Sequence, residues 1–278
     1  MSKSISPQEN TPCISEVIAK KARIKILQMT HAARASHVGS ALSVVDILSV
    51  LYSGVLNIEP SNVASIDRDS VILSKGHSAA ALYAVLAIQD FFPESLLETY
   101  YQDGGVLGGH VTHEGKRGIE LSTGSLGHGL PYGVGIALSH KLAKRNSRTV
   151  VVISDGECNE GTTWESALLA QQFQLNRLCV IIDRNRIQSL APTEETMALE
   201  PFAEKWKAFN WEVKTLNGHS HQELTAALAL GEKPLCIIAD TKKGNGVSFM
   251  EKSVLWHYRP PNDQELLAAL AEIEISES

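Results

Sequence analysis

Four short apolar runs, VILS (71–74), TVVVIS (149–154), LCVIID (178–183) and LCIIAD (235–240), are continuous rather than alternating. Strands of that kind bury both faces, which requires helices above and below the sheet. A fifth run, WEVKTL (211–216), alternates and belongs nearer an edge. Between the runs, apolar residues recur at helical spacing over 14–35, 44–56, 79–89, 132–144, 164–173, 201–209, 221–230 and 263–273. Strands alternating with helices predict an α/β fold: a three-layer sandwich around a mainly parallel sheet. No Pro/Gly/Ser-rich linker or internal repeat divides the chain, so a single domain is expected over 13–278. A flexible N-terminus at 1–12 and frayed residues at the C-terminal end complete that expectation.

Composition narrows the function classes. With 44% hydrophobic residues the 278-residue chain can bury a sizeable core. A formal charge of -6 and the lack of any Lys/Arg block argue against nucleic acid as a partner. No run of 18 apolar residues is read, and MSKSISPQENTPC lacks a signal-peptide core, so a cytoplasmic protein without a membrane partner is expected. Cys13, Cys158, Cys179 and Cys236 are scattered with no CxxC spacing, as reduced thiols would be.

Glycine and histidine collect in loops: SHVGS (36–40), SKGHS (74–78), GGVLGGHVTHEG (104–115), STGSLGHGLPYG (122–133) and KKGNGVSF (242–249). In an open α/β sheet, ligands bind beyond the carboxyl ends of the strands, where several of these loops begin. Asp155 follows one strand, and Asn185 lies two residues beyond Asp183 at the end of the next. A carboxylate and an amide oxygen there suit Mg²⁺ or Ca²⁺, with phosphate oxygens completing the shell. The helix starting near Gly161 would point its amides at the same place. Asp155 and Asn185 as turn and cap residues are the alternative. His37, His77, His110 and His257 sit in loops, where neutral imidazoles can bind hydroxyls and shuttle protons. His31 and His140 fall in helical runs and read as surface or packing residues.

The ordered motifs SHVGSALSVVDIL, SKGHSAAALYAVLA, GGHVTHEG, STGSLGHGLPYGVGIAL, SDGECNEGTTWESALLA, IIDRNRIQ, TKKGNGVSFM and WH resemble the N-terminal, diphosphate-binding domain of transketolase, from about residue 15 to about 262. The resemblance implies the thiamine-diphosphate-binding fold. It implies Asp155, Asn185 and the main-chain oxygen of Ile187 as ligands of Mg²⁺ or Ca²⁺, clamping the diphosphate of thiamine diphosphate. His77 and the Gly156 amide are implied in diphosphate binding, with His257 near the diphosphate and the reacting carbon. The Glu157 amide is assigned to framing the diphosphate, and its carboxylate is read as a first-turn residue. His37 and His110 are implied in contacts to the sugar, Gly124, Ser125 and Leu126 lie against the aminopyrimidine, and Glu160 links paired active sites at a subunit contact. Ser154 and Ser189 depart from the family pattern.

The family's activating glutamate comes from a pyrimidine-binding domain that this chain is too short to include. The resemblance therefore implies one half of a split transketolase, an α2β2 assembly completed by a second subunit with the pyrimidine-binding and C-terminal domains. Its reaction would move a two-carbon ketol unit from a ketose phosphate to an aldose phosphate. The α subunit of a 2-oxo acid dehydrogenase's decarboxylating component and a catalytically inactive module of the same fold are the alternatives.

Overall fold

A computed structural model describes residues 12–275. The expected flexible N-terminus, save its last residue, and the last three residues of the frayed end lie outside the described residues. Helices α1 (Ile14–Ala32), α2 (Val38–Val50), α3 (Ala79–Ile88), α4 (Gly129–Leu142), α5 (Gly161–Gln172), α6 (Thr193–Thr196), α7 (Phe202–Ala208), α8 (His221–Ala227) and α9 (Asp263–Ile275) surround strands β1 (Ser70–Leu73), β2 (Thr149–Ser154), β3 (Leu178–Arg184), β4 (Glu212–Asn217) and β5 (Leu235–Asp240). The sheet order is β1-β2-β3-β5-β4 and every pair is parallel.

Alternate residues of the buried strands supply two cores. Val150, Val152, Ile181 and Ile237 face the layer of α1, α2, α3, α8 and α9. Val151, Ile153, Val180 and Ile182 face α4, α5 and α7. The chain steps from β1 to β3 and on to β4 with α4, α5 and α7 on one face. It then turns back to β5 with α8 on the other, as right-handed crossovers require. The alternating fifth run is the edge strand β4, partly exposed along its length.

Helix α2 departs from the expectation. It begins at Val38, six residues earlier than its apolar periodicity suggested, so most of SHVGS is helix rather than loop. His37 caps it in the left-handed region (φ 73°), and its amide donates to the His257 carbonyl at 2.8 Å. With the π-turn at Leu51–Val55 it forms an 18-residue stretch of mean hydropathy 1.7, the membrane-length segment that the sequence reading missed. Ser, Gly and Asp46 interrupt its apolar letters, and 83% of it is buried inside the protein as the central core helix.

The β2–β3 register positions the site. Thr149 pairs with Leu178 and Ser154 with Asp183, so Asp155 and the Arg184-Asn185 dipeptide emerge side by side. Because Ile181 is central in β3 and 1% exposed, Ile181→Ala should cost about 2–5 kcal/mol through lost burial and a cavity, read as a lower urea midpoint.

Candidate active site

Loops from the carboxyl ends of β1, β2, β3 and β5 enclose a cleft of about 330 Å³ together with the N-terminus of α2. His37, His77, His110, Gly124, Leu126, Asp155, Gly156, Glu160, Asn185, Ile187 and His257, eleven of the thirteen residues expected from the sequence, all line it. The loops interlock through their backbones: Val111 N donates to Gly76 O at 3.1 Å and Thr123 N to Val111 O at 3.0 Å. A Cβ on Gly76 would sit 2.2 Å from the Thr123 carbonyl oxygen, so only glycine allows this approach. Tyr83 Oη donates to His110 O at 2.9 Å and fixes the third loop.

The three residues expected as metal ligands line one cleft. Asp155 Oδ2 accepts from Arg184 Nη1 (3.2 Å), Arg186 N (2.9 Å) and Thr193 Oγ1 (3.1 Å), while Oδ1 accepts from Gly156 N (2.8 Å). Burial raises the Asp155 pKa, and Arg184 opposes the rise. Asn185 Nδ2 donates to Ser43 Oγ at 3.1 Å and Asp183 Oδ2 at 3.4 Å, which leaves Oδ1 as the free end of the amide, taking one bond from Ile187 N at 3.1 Å. The Lys243 ammonium donates to the Ile187 carbonyl oxygen at 3.2 Å, so this oxygen faces the cleft and accepts from a cationic group. Among the described residues no three His, Cys, Asp or Glu cluster at metal-holding spacing. A carboxylate, an amide oxygen and a main-chain carbonyl are hard donors, the type that suits a small divalent ion completed by phosphate oxygens.

Four imidazoles face one another across the cleft. The His37 ring centroid is 5.3 Å from His77, 5.7 Å from His110 and 4.9 Å from His257. Burial first, then His110 and the lysines, lowers the His37 pKa to about 4. Burial and then Lys243 lower His257 to about 3, and burial with Lys75 holds His77 well below its ordinary value. These three rings are neutral near pH 7 and can each donate and accept a hydrogen bond.

Sequence reasoning missed the cations. Lys75 is fully buried and bonds the Asp183 carboxylate, which also accepts from Ser43 Oγ at 2.5 Å and from Thr241. Burial would raise the Asp183 pKa, but Lys75 and these hydrogen bonds hold it lowered. Lys243, 1% exposed, contacts Gln188 O at 3.2 Å and His257 Nδ1 at 2.8 Å. Burial and Lys75 lower its pKa to about 8. The net charge of the chain hides both; the only sequence signal is a lysine beside glycine in two loops that follow strands.

Three expectations are corrected. Glu157 does not frame the cleft: its buried carboxylate accepts from Ser74 Oγ (2.5 Å), Gly127 N (3.0 Å) and Ser154 N (2.9 Å), and its amide turns to Ser154 Oγ (3.3 Å). It ties β1, β2 and the glycine loop together from beneath. Ser125 is exposed outside the cleft lining. The α5 N-terminus is set back by the turn Gly156–Asn159, so Gly156 and Asn159 reach the cleft rather than α5. Glu160 is exposed at the rim against Gly127, whose φ of +80° demands glycine and where an added Cβ would sit 2.6 Å from the Glu160 Cβ. His31 bonds Asp263 at 2.9 Å at the surface and His140 is buried in α4, as packing roles require.

The fold is a parallel α/β sheet whose strand ends carry an oxygen-rich, lysine-flanked cleft. The family described as "Transketolase, thiamine diphosphate binding domain" matches residues 14–271. The chain is 36% identical over 262 residues to one of the subunits of the apulose-4-phosphate transketolase of Phocaeicola vulgatus, covering 93% of each chain. It is 37% identical over 242 residues to a 6-deoxy-6-sulfo-D-fructose transketolase subunit of a Clostridium species, covering 86% of this chain and 88% of that one. Transketolase from Campylobacter jejuni superposes with a TM-score of 0.88 at 27% identity, over 95% of this chain and 43% of that one. The chain thus spans about two fifths of the full-length transketolases, such as the 39% covered in the human enzyme. The chain belongs to the transketolase family, as a thiamine-diphosphate-dependent transketolase subunit. The comparisons favour neither the dehydrogenase component nor the inactive module.

Two outcomes follow. Lys75→Met strands a buried carboxylate and should destabilise the chain by about 3–5 kcal/mol, much of it recovered by adding Asp183→Asn, in chemical denaturation. The depressed histidines make the unfolded chain bind more protons between their ordinary pKa of 6.5 and folded values of about 4 for His37 and about 3 for His257. Stability therefore falls on acidification through that window; urea midpoints from pH 7 to pH 4.5 should drop, and less steeply in a His37→Asn/His257→Asn variant.

Proposed function

We propose that the chain holds thiamine diphosphate through Mg²⁺ or Ca²⁺ bound by Asp155, Asn185 and the Ile187 carbonyl oxygen, and that it works in a two-chain transketolase. The observation that carries this reading is that Asp155, Asn185 and Ile187 line one cleft with Lys243 and the four imidazoles. When bound, the cofactor supplies the electron sink for cleaving and forming a carbon–carbon bond beside a ketose carbonyl. The chain's own residues do the rest. Lys243 offsets charge on the diphosphate, while Lys75 is paired with Asp183 behind it. The neutral rings of His37, His77 and His257 hydrogen-bond substrate hydroxyls and pass protons between them, with His110 beside them. Gly124 and Leu126 wall the side assigned to the aminopyrimidine, and Ser189, also in the lining, replaces an apolar wall residue with a hydroxyl.

The reaction is transfer of a two-carbon ketol unit from a ketose phosphate to an aldose phosphate. A second subunit brings the pyrimidine-binding and C-terminal domains, and the assembly is α2β2. Two facts support this: the relatives matched nearly end to end are named as transketolase subunits, and Tyr132 on α4 and Leu168 on α5 stand exposed as large apolar side chains. The compartment is the cytoplasm; Cys13, Cys158, Cys179 and Cys236 are all free thiols, consistent with a reducing milieu.

A coupled assay with sugar phosphates, the second subunit, thiamine diphosphate and Mg²⁺ tests the reading. Turnover should require both chains, and Asp155→Ala should lose more than the roughly 100-fold that removal of an outer-shell metal contact costs. Turnover by this chain alone, or full activity in Asp155→Ala, contradicts it.

A further inference from the structure

A second buried polar cluster lies behind the cleft, centred on Asp46 in the middle of α2. Asp46 is 2% exposed and its carboxylate gathers donors from three other segments. Arg23 of α1 reaches Oδ2 at 2.5 Å, His219 Nδ1 at 2.7 Å and Asn245 Nδ2 at 3.5 Å, while His221 Nε2 lies 3.1 Å from Oδ1. The far nitrogen of His221 meets Ser15 Oγ at 2.7 Å.

The His219 ring has a defined tautomer. Its Nε2 lies 2.8 Å from the Lys242 amide and must accept that hydrogen, so its own proton sits on Nδ1 and points at Asp46. On the other side of Lys243, Asn245 donates to Asp46 and its carbonyl accepts from Arg23 Nε at 3.4 Å. The cluster therefore grips the backbone at 242 and at 245 and brackets Lys243, whose side chain passes to the opposite side, into the cleft. Gly244 N, bonded to Gly39 O at 2.9 Å, closes the bracket on the first turn of α2, beside His37. Packing alone does not need this arrangement: the neighbouring strand and helix are already held by apolar contacts of Leu224, Ala227 and Ile237.

We propose that Asp46 and His219 are positioning residues that hold segment 242–245 so that the Lys243 ammonium stays beside the Ile187 carbonyl and His257 ring, where it meets the cofactor's diphosphate. This rests on the reading of the cleft given above. A buried carboxylate can do this because its position is over-determined by several donors, and a shift of about an ångström in a supporting residue suffices to loosen a site.

The test is a double-mutant cycle on the full chain, reading the affinity for thiamine diphosphate with Mg²⁺ by calorimetry, with urea unfolding of each variant as the folding control. His219→Ala should weaken binding roughly tenfold, as loss of a supporting contact to a ligating group does. In a Lys243→Met background the same substitution should change affinity little, because the group it positions is gone. His219→Gln, which can keep an acceptor for the Lys242 amide, should retain most of the affinity, and His219→Asn should not; this pair carries the test if His219→Ala does not fold. An equal loss in both backgrounds, or no loss while the wild type binds, overturns the proposal and leaves the cleft assignment standing. A wild type with no metal-dependent binding of thiamine diphosphate overturns the cleft assignment, and this proposal with it.

Discussion

The Asp183 carboxylate is the point on which the site depends. It ends β3 buried beneath the cleft and takes the Lys75 ammonium from the β1 loop, Ser43 from α2, Thr241 from the end of β5 and Asn185 two residues on. A bare carboxylate at that depth would be unstable, and so would a bare lysine. Each makes the other tenable, and together they fix four segments relative to one another. Asn185 is oriented because its amide nitrogen is spent on this group, and its oxygen is left for the cleft.

A similar economy recurs on either side. Glu157 does for β1, β2 and the glycine loop what Asp183 does for β1, β3, α2 and β5: a buried acid satisfied by donors from separate segments. Asp46 does it for α1, α2, α8 and the loop after β5. Three buried carboxylates thus form a polar underside on which the mobile chemistry of imidazoles and lysines is mounted. Such networks are favourable only when every member is satisfied, so removing one partner costs more than the bond itself.

The fold was largely legible in the residues. The continuous runs at 149–154 and 178–183 can only be strands covered on both sides, and the alternating run at 211–216 became the partly exposed edge. Asp155, Asn185 and the loop histidines were picked out by their place at strand ends and by the resemblance together, and the structure brings them into one cleft. What stayed hidden depends on the third dimension. SHVGS looks like a loop by composition, yet Val38 to Ser40 are helical because His37 takes a left-handed cap and is pinned by His257, some 220 positions away. Glu157 sits where a first-turn acid would, and only the pairing of β1 with β2 reveals it as buried. Lys75 and Lys243 are invisible to charge counting because each is a single cation whose importance lies in its burial.

The central claim is that this cleft recognises a diphosphate through a divalent ion. Calorimetric titration of the purified chain with thiamine diphosphate and with unphosphorylated thiamine, each with Mg²⁺ and with a chelator, measures it directly. The account predicts binding by the diphosphate form in the presence of Mg²⁺ and little by either compound without it. Equal binding of thiamine and thiamine diphosphate, or binding indifferent to the chelator, would contradict it.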